Sequence, residues 1–187
     1  MKYFYNQLFA NKCEVHACCD ELVFPIFKNG SSTIIENSKR VYLNQQIAKL
    51  DTITVYWREA CQRYRVGVAS YLEWNKHLNT NTLLELINTG QLLNSHFCSQ
   101  YMWLQNLARY SPDHSIRIEH YSDIPIDTVK MSSDKLDIPD VDIPQGWCEL
   151  DNIIYGQFGY NKVTLKEIDS YIEQNHRTLY KRCIAHV

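Results

Sequence analysis

The chain has 187 residues, 45% apolar and 21% charged, enough for one domain with a sizeable core and not clearly enough for two. Its formal net charge of −2 excludes a protein that coats nucleic acid, whose electrostatic footprint is strongly basic. No run approaches the roughly 18 apolar residues of a membrane span, so membrane association is not expected.

The first fifteen residues, "MKYFYNQLFANKCEV", predict a helix packing Tyr3, Phe4, Leu8 and Phe9. They carry polar residues every few positions in place of the apolar core of a secretory leader. "ELVFPIF" (21–27) reads as a buried strand, with Pro25 marking an edge position or a bulge. "SSTIIENSKRVYLNQQIAKL" (31–50) opens as a helix behind a serine N-cap. "TITVYW" (52–57) is a second strand, β-branched and aromatic. From Ala60 to about Leu78 the spacing of Ala60, Tyr64, Val68, Tyr71 and Leu72 predicts one helical face. Shorter helices follow over 81–93 and 99–110, and "SIRIEHY" (115–121) alternates as a strand does. The segment 127–146 has two prolines, five aspartates and no sustained period, which predicts a long loop or lid. "VTLKEIDSYIEQNHRTLYKRC" (163–183) is an amphipathic helix with a Thr164–Glu167 capping box.

Strands alternating with helices imply a single α/β layer domain over 1–187, with a mainly parallel sheet flanked by helices. Ligands of such folds gather at the carboxyl ends of the strands, where Lys28 and Arg58 fall. The charge distribution points the same way. Residues 1–118 carry a net +3, 119–151 a net −7 and the remainder +2, so an anion site belongs in the first block. Seven cysteines, an odd number without an even-spaced framework, predict free thiols in a reducing, cytoplasmic setting. Cys13, His16, Cys18 and Cys19 crowd into seven residues with no distant second pair, so no metal site is expected.

Two stretches carry chemistry. "FPIFKNGSSTI" (24–34) runs from a strand through Lys28, Asn29 and Gly30 into Ser31, Ser32 and Thr33. A glycine lets backbone N–H groups approach an anion, the hydroxyls add donors and the lysine adds a charge. It is not a Walker A loop, because the lysine precedes the only glycine. "VYWREACQRYRVGVASYLEW" (55–74) places Arg58, Arg63 and Arg65 within eight residues, and the planar fork of arginine suits oxyanions. Gly67 sits in a helix interior, where it costs roughly 1 kcal/mol relative to alanine; close approach of a neighbour or a ligand accounts for it.

Together these stretches resemble the sulfotransferase superfamily, which takes its sulfuryl group from 3′-phosphoadenosine 5′-phosphosulfate. Lys28-Asn29-Gly30-Ser31-Ser32-Thr33 is similar to the family's 5′-phosphosulfate loop. Arg58 followed by Arg63-Tyr64-Arg65-Val66-Gly67 is similar to its 3′-phosphate motif, with Val66 at the serine position and Ala60 at that of a proline. "SHFCSQYMWL" (95–104) resembles the His-x-x-Pro-Gln segment of the carbohydrate-type branch, with Ser99 for proline. "IRIEHYSDI" (116–124) resembles the strand that follows, so that the likeness spans about residues 20–125.

The resemblance implies a three-layer, P-loop-like fold, a metal-free site, and transfer to a hydroxyl or amine of a carbohydrate or small molecule. Lys28 then reaches the bridging oxygen, while Asn29, Gly30, Ser31, Ser32 and Thr33 hold the 5′ end. Arg58, with Arg63 or Ser70, holds the 3′-phosphate, and Arg65 adds charge in place of the missing serine. His96 is the first candidate for general base, followed by Glu36, with Glu119 and His120 behind them. Gln100 orients a neighbour or the acceptor. Val66 leaves a second expectation open, a nucleotide- or anion-binding module of the same fold without transfer activity. A third is a structural or interaction protein in which the motifs are fortuitous.

Overall fold

The computed structural model describes residues 14–42, 52–110, 112–126, 137, 139–144 and 146–185. They form an α/β structure around a six-stranded sheet. Its strands are β1 (Glu14–Cys18), β2 (Glu21–Val23), β3 (Lys39–Tyr42), β4 (Ile53–Trp57), β5 (Ser115–His120) and β6 (Lys162–Thr164), in the spatial order β3-β1-β2-β4-β5-β6.

The neighbouring strands β2, β4 and β5 run parallel. β1 is antiparallel to β2 and to β3, and β6 is antiparallel to β5. The sheet is therefore mixed, which corrects the expected mainly parallel one. The cause is local. Cys19 and Asp20 join β1 to β2 with φ of 49° and 67°, and two successive positive-φ residues make the tight turn that folds neighbouring strands antiparallel.

The helix expected over 31–50 is likewise cut short. It is α1 (Ser31–Glu36), closed by Asn37, whose Nδ2 donates to the Thr33 carbonyl at 2.8 Å. The chain then returns as β3 beside β1. The expected N-terminal helix lies outside the described residues, except that Glu14 and Val15 open β1.

The remaining helices are α2 (Ala60–Trp74), α3 (Thr80–Asn88), α4 (Gln100–Ala108), α5 (Trp147–Phe158), α6 (Leu165–Asn175) and α7 (Arg177–Ala185). Side-chain caps start several of them. The Glu59 carboxylate accepts from Cys61 N and Gln62 N ahead of α2, and Asn79 and Ser99 cap α3 and α4. The Thr164–Glu167 capping box forms as expected. The single helix expected over 163–183 is instead the end of β6 followed by α6 and α7, broken at His176. Of the 127–146 loop, 137, 139–144 and 146 are described and carry no helix or strand.

All five residues of β4 are buried, as a central strand requires. Alternate side chains pass to opposite faces. Ile53, Val55 and Trp57 join Ile116 and Ile118 in a large cluster with Val68, Leu104, Leu150, Ile154 and Ile168 from the helices. Tyr56 joins Cys18, Val23, Ile34 and Ile124 in a small one on the other side. Among the described residues the helices thus crowd one face, and only α1 and a short 3₁₀ turn (Tyr121–Asp123) serve the other. No helix among them is long and apolar enough to cross a membrane.

Candidate functional site

Because β2 and β4 are parallel neighbours, the chain leaves both at the same edge of the sheet. Beyond β2, Phe24, Pro25 and Ile26 stay buried, with Phe24 N donating to the Thr54 carbonyl at 2.9 Å. The chain then turns through Lys28 (φ +70°), Asn29 and Gly30 (φ +79°) into α1. Glycine takes this left-handed backbone freely; for lysine it is strained.

Hydrogen bonds hold the strained turn. Arg58, one residue past β4, donates from Nη1 to the Lys28 carbonyl at 3.1 Å and from Nε to Gln62 Oε1 at 3.3 Å. Asn29 is fully buried and donates from Nδ2 to the Tyr56 carbonyl at 2.7 Å and to Gln100 Oε1 at 2.6 Å. Gln100 Oε1 also accepts from Arg58 N at 3.0 Å, and its Nε2 donates to the Arg58 carbonyl at 2.9 Å. One buried amide thereby joins the loop after β2 to the loop after β4.

The structure therefore brings Lys28, Asn29, Gly30 and Arg58 together. Arg58 also lies over the Tyr121 ring, 5.3 Å from its centroid. Burial pushes the Lys28 ammonium down to about 8, and the nearby Arg63 and Arg58 charges add to the effect. The three cations form a positive focus that an anion would relieve.

Lys28 Nζ sits 5.0 Å from the centroid of Trp74, an indole 60% exposed at the end of α2. His96 meets the same indole edge-on at 4.6 Å and stacks against Phe27 at 4.7 Å. Asn94 Oδ1 accepts from His96 N at 3.1 Å and lies 2.6 Å from its Nδ1. An atom that accepts from a backbone N–H is an oxygen, so Nδ1 carries the ring hydrogen and the neutral imidazole keeps its basic lone pair on Nε2.

The other expected site residues point inward, face solvent or pair with other groups. Arg63 is buried, and its Nε donates to the Phe27 carbonyl at 3.0 Å. Its Nη1 donates to the Cys98 carbonyl and its Nη2 to that of Ser95 at 3.4 Å. It is a strut between the Phe27 turn and the 95–98 segment. Val66 and Ser70 are buried in α2, and Ser70 Oγ has no hydrogen-bond partner. Ser31 and Thr33 are buried and Ser32 is exposed. Arg65 and Glu36 face solvent. Glu119 pairs with Arg117 at 2.8 Å, and His120 Nδ1 lies 2.7 Å from Ser122 Oγ.

Gly67 has the explanation its sequence position asked for. A Cβ there would stand 2.1 Å from the His96 carbonyl oxygen, so the glycine admits the His96 segment against α2.

Asp151, on α5, was not foreseen. Its carboxylate is buried and accepts from Ser99 Oγ at 2.6 Å, Gln100 N at 2.8 Å and Tyr101 N at 3.0 Å. Gln100 Nε2 lies 3.4 Å from it. Burial holds its carboxyl above the ordinary range against these hydrogen bonds. The sequence does carry a signal: Trp147, Leu150, Asp151 and Ile154 form the buried stripe of α5, and a carboxylate on such a stripe requires partners.

Among the described residues no group of three or more His, Cys, Asp or Glu side chains is placed to hold a metal ion. Compared with protein-family models, curated proteins and solved structures, the chain matches none.

Proposed function

We propose that the chain is a sulfotransferase-like enzyme of P-loop-like type, moving a sulfuryl group from 3′-phosphoadenosine 5′-phosphosulfate to a hydroxyl or amine of a carbohydrate or small molecule. The observation that carries the reading is the Arg58 Nη1 bond to the Lys28 carbonyl at 3.1 Å. It joins two cationic strand exits at one sheet edge, as a donor with anionic groups at both ends requires.

In this reading Lys28 neutralises the bridging oxygen as the bond to sulfur breaks, and the 29–33 turn holds the 5′ end. Arg58, with Ser70, whose buried Oγ has no hydrogen-bond partner, holds the 3′-phosphate, since the Arg63 donors are spent on carbonyls. His96 Nε2 takes the acceptor proton; both His96 and Lys28 lie against the Trp74 indole. The acceptor oxygen or nitrogen gains the sulfuryl group and the nucleotide phosphate departs.

The inactive alternative, a nucleotide- or anion-binding module, has its own support. Val66 is fully buried at the motif serine's place, and Arg63 faces inward.

Thermal-shift titration tests the pocket. Adenosine 3′,5′-bisphosphate should raise the Tm where AMP and ATP do not, because ligands of the native state stabilise it, and Lys28→Ala should abolish the rise. Transfer of labelled sulfate from the donor to an acceptor panel separates enzyme from module. A bisphosphate no better than AMP or ATP sinks the transferase reading, and no rise with any of the three sinks both.

A further inference from the structure

Away from the Lys28–Arg58 pair, a cleft of about 260 Å3 opens beside β1, lined by Glu14, His16, Phe24, Phe27, Arg40 and Trp103, with Pro25 and Ile35 at its sides. At ~30 Å3 per water it has room for about nine waters, less than a drug-sized ligand needs and enough for one or two rings. Its walls are aromatic. Trp103 meets Phe27 at 4.9 Å and Phe24 edge-on at 6.0 Å, an arrangement that a further ring extends.

The polar end is specific. His16 is 3% exposed, and its Nδ1 lies 2.8 Å from Ser38 Oγ. Its Nε2 is buried without a hydrogen-bond partner, which leaves a desolvated polar atom uncompensated. The nearest carboxylate oxygen, Glu14 Oε2, is 3.9 Å from Nε2, too far for a hydrogen bond. An oxygen about 2.8 Å from each would span that separation. Glu14 is already paired with Arg40 at 3.0 Å, so the mouth is neutral overall and offers a charged ligand no uncompensated partner.

We propose that this cleft is a binding site for a small, neutral, hydroxyl-bearing aromatic molecule, its ring against Phe24, Phe27 and Trp103 and its hydroxyl bridging His16 Nε2 and Glu14. The bridge takes the Nε2–H tautomer of His16: the hydroxyl accepts from Nε2 and donates its one hydrogen to the Glu14 carboxylate, while Nδ1 accepts from Ser38 Oγ. Burial pushes the His16 imidazolium down, which keeps the ring neutral and suited to such a partner. The site does not rest on the transferase reading.

The test uses p-cresol and toluene, which differ by the hydroxyl alone, with the full chain and NMR of its imidazole nitrogens. Wild type should bind p-cresol saturably, shift the His16 resonances, and prefer it to toluene by about tenfold, the worth of one hydrogen bond. His16→Leu should bring that ratio to about one. Ile35→Trp, at a position 41% exposed on the cleft wall, should block both compounds, and Lys28→Ala should change neither affinity. Absence of saturable p-cresol binding, as when ordered water alone fills the gap, overturns the proposal, and so does equal affinity for the two compounds. If His16→Leu does not fold, Ile35→Trp decides: a p-cresol response that survives there overturns the site.

Discussion

Lys28 concentrates the chemistry of the candidate site in one side chain. Its backbone is left-handed, its carbonyl anchors Arg58, and its ammonium lies over an indole. With a folded pKa near 8 against 10.5 unfolded, the native state binds fewer protons than the unfolded one between those values. Stability therefore rises with pH across that window and loses this contribution as pH falls through 8. Anion binding runs the other way, because it needs the charged amine. Affinity for adenosine 3′,5′-bisphosphate should fall as pH rises past 8, and in Lys28→Gln the remaining binding should lose that inflection. Calorimetric titration between pH 6.5 and 9.5 measures both.

At the scale of elements, α2 and the His96 segment meet through an absent side chain. Helix propensity alone favours alanine over glycine by roughly 1 kcal/mol. The crowding against a backbone carbonyl 2.1 Å away outweighs it. Gly67→Ala should lose about 3 kcal/mol, the upper range of an overpacked site, in urea unfolding. It should also shift the His96 ring resonances, because that segment must move. Here the sequence was legible: a glycine in a helical run implied close approach, and the approach is present. The β1–β2 hairpin was not legible, because its turn is Cys19-Asp20, without the Asn-Gly or Gly that ordinarily marks positive φ. β3 was hidden for a related reason. Val41 stands seven residues past Ile34, a spacing that reads as helix, and tertiary pairing with β1 overrides it.

Across the whole molecule a buried polar path runs from the helical layer to the sheet edge: Asp151 to Gln100, and Gln100 to Asn29 and Arg58. Asp151→Asn keeps the shape but replaces one acceptor oxygen by an amide donor facing Ser99, Gln100 or Tyr101. We expect it to cost about 3–5 kcal/mol, as breaking a buried charged network does, measured by chemical denaturation. The α/β class and the meeting of Lys28 with Arg58 could be read from local patterns, since strand tips and arginine spacing are properties of short stretches. The inward turn of Arg63 and the uneven layering of helices could not, because both are decided by which carbonyls and apolar faces the distant chain delivers. Asp151 lay between these cases, visible as a misplaced charge and interpretable only once Ser99 and Tyr101 stood beside it.

The Gln100 amide has a consequence for selectivity. Two loops stitched to one internal side chain acquire their spacing during folding, so an anion matching that spacing would bind with little ordering left to do. The same stitching denies them stretch. Under the proposed function a bulkier polyanion would seat itself only by unpicking these buried bonds, so selection by size would precede selection by charge.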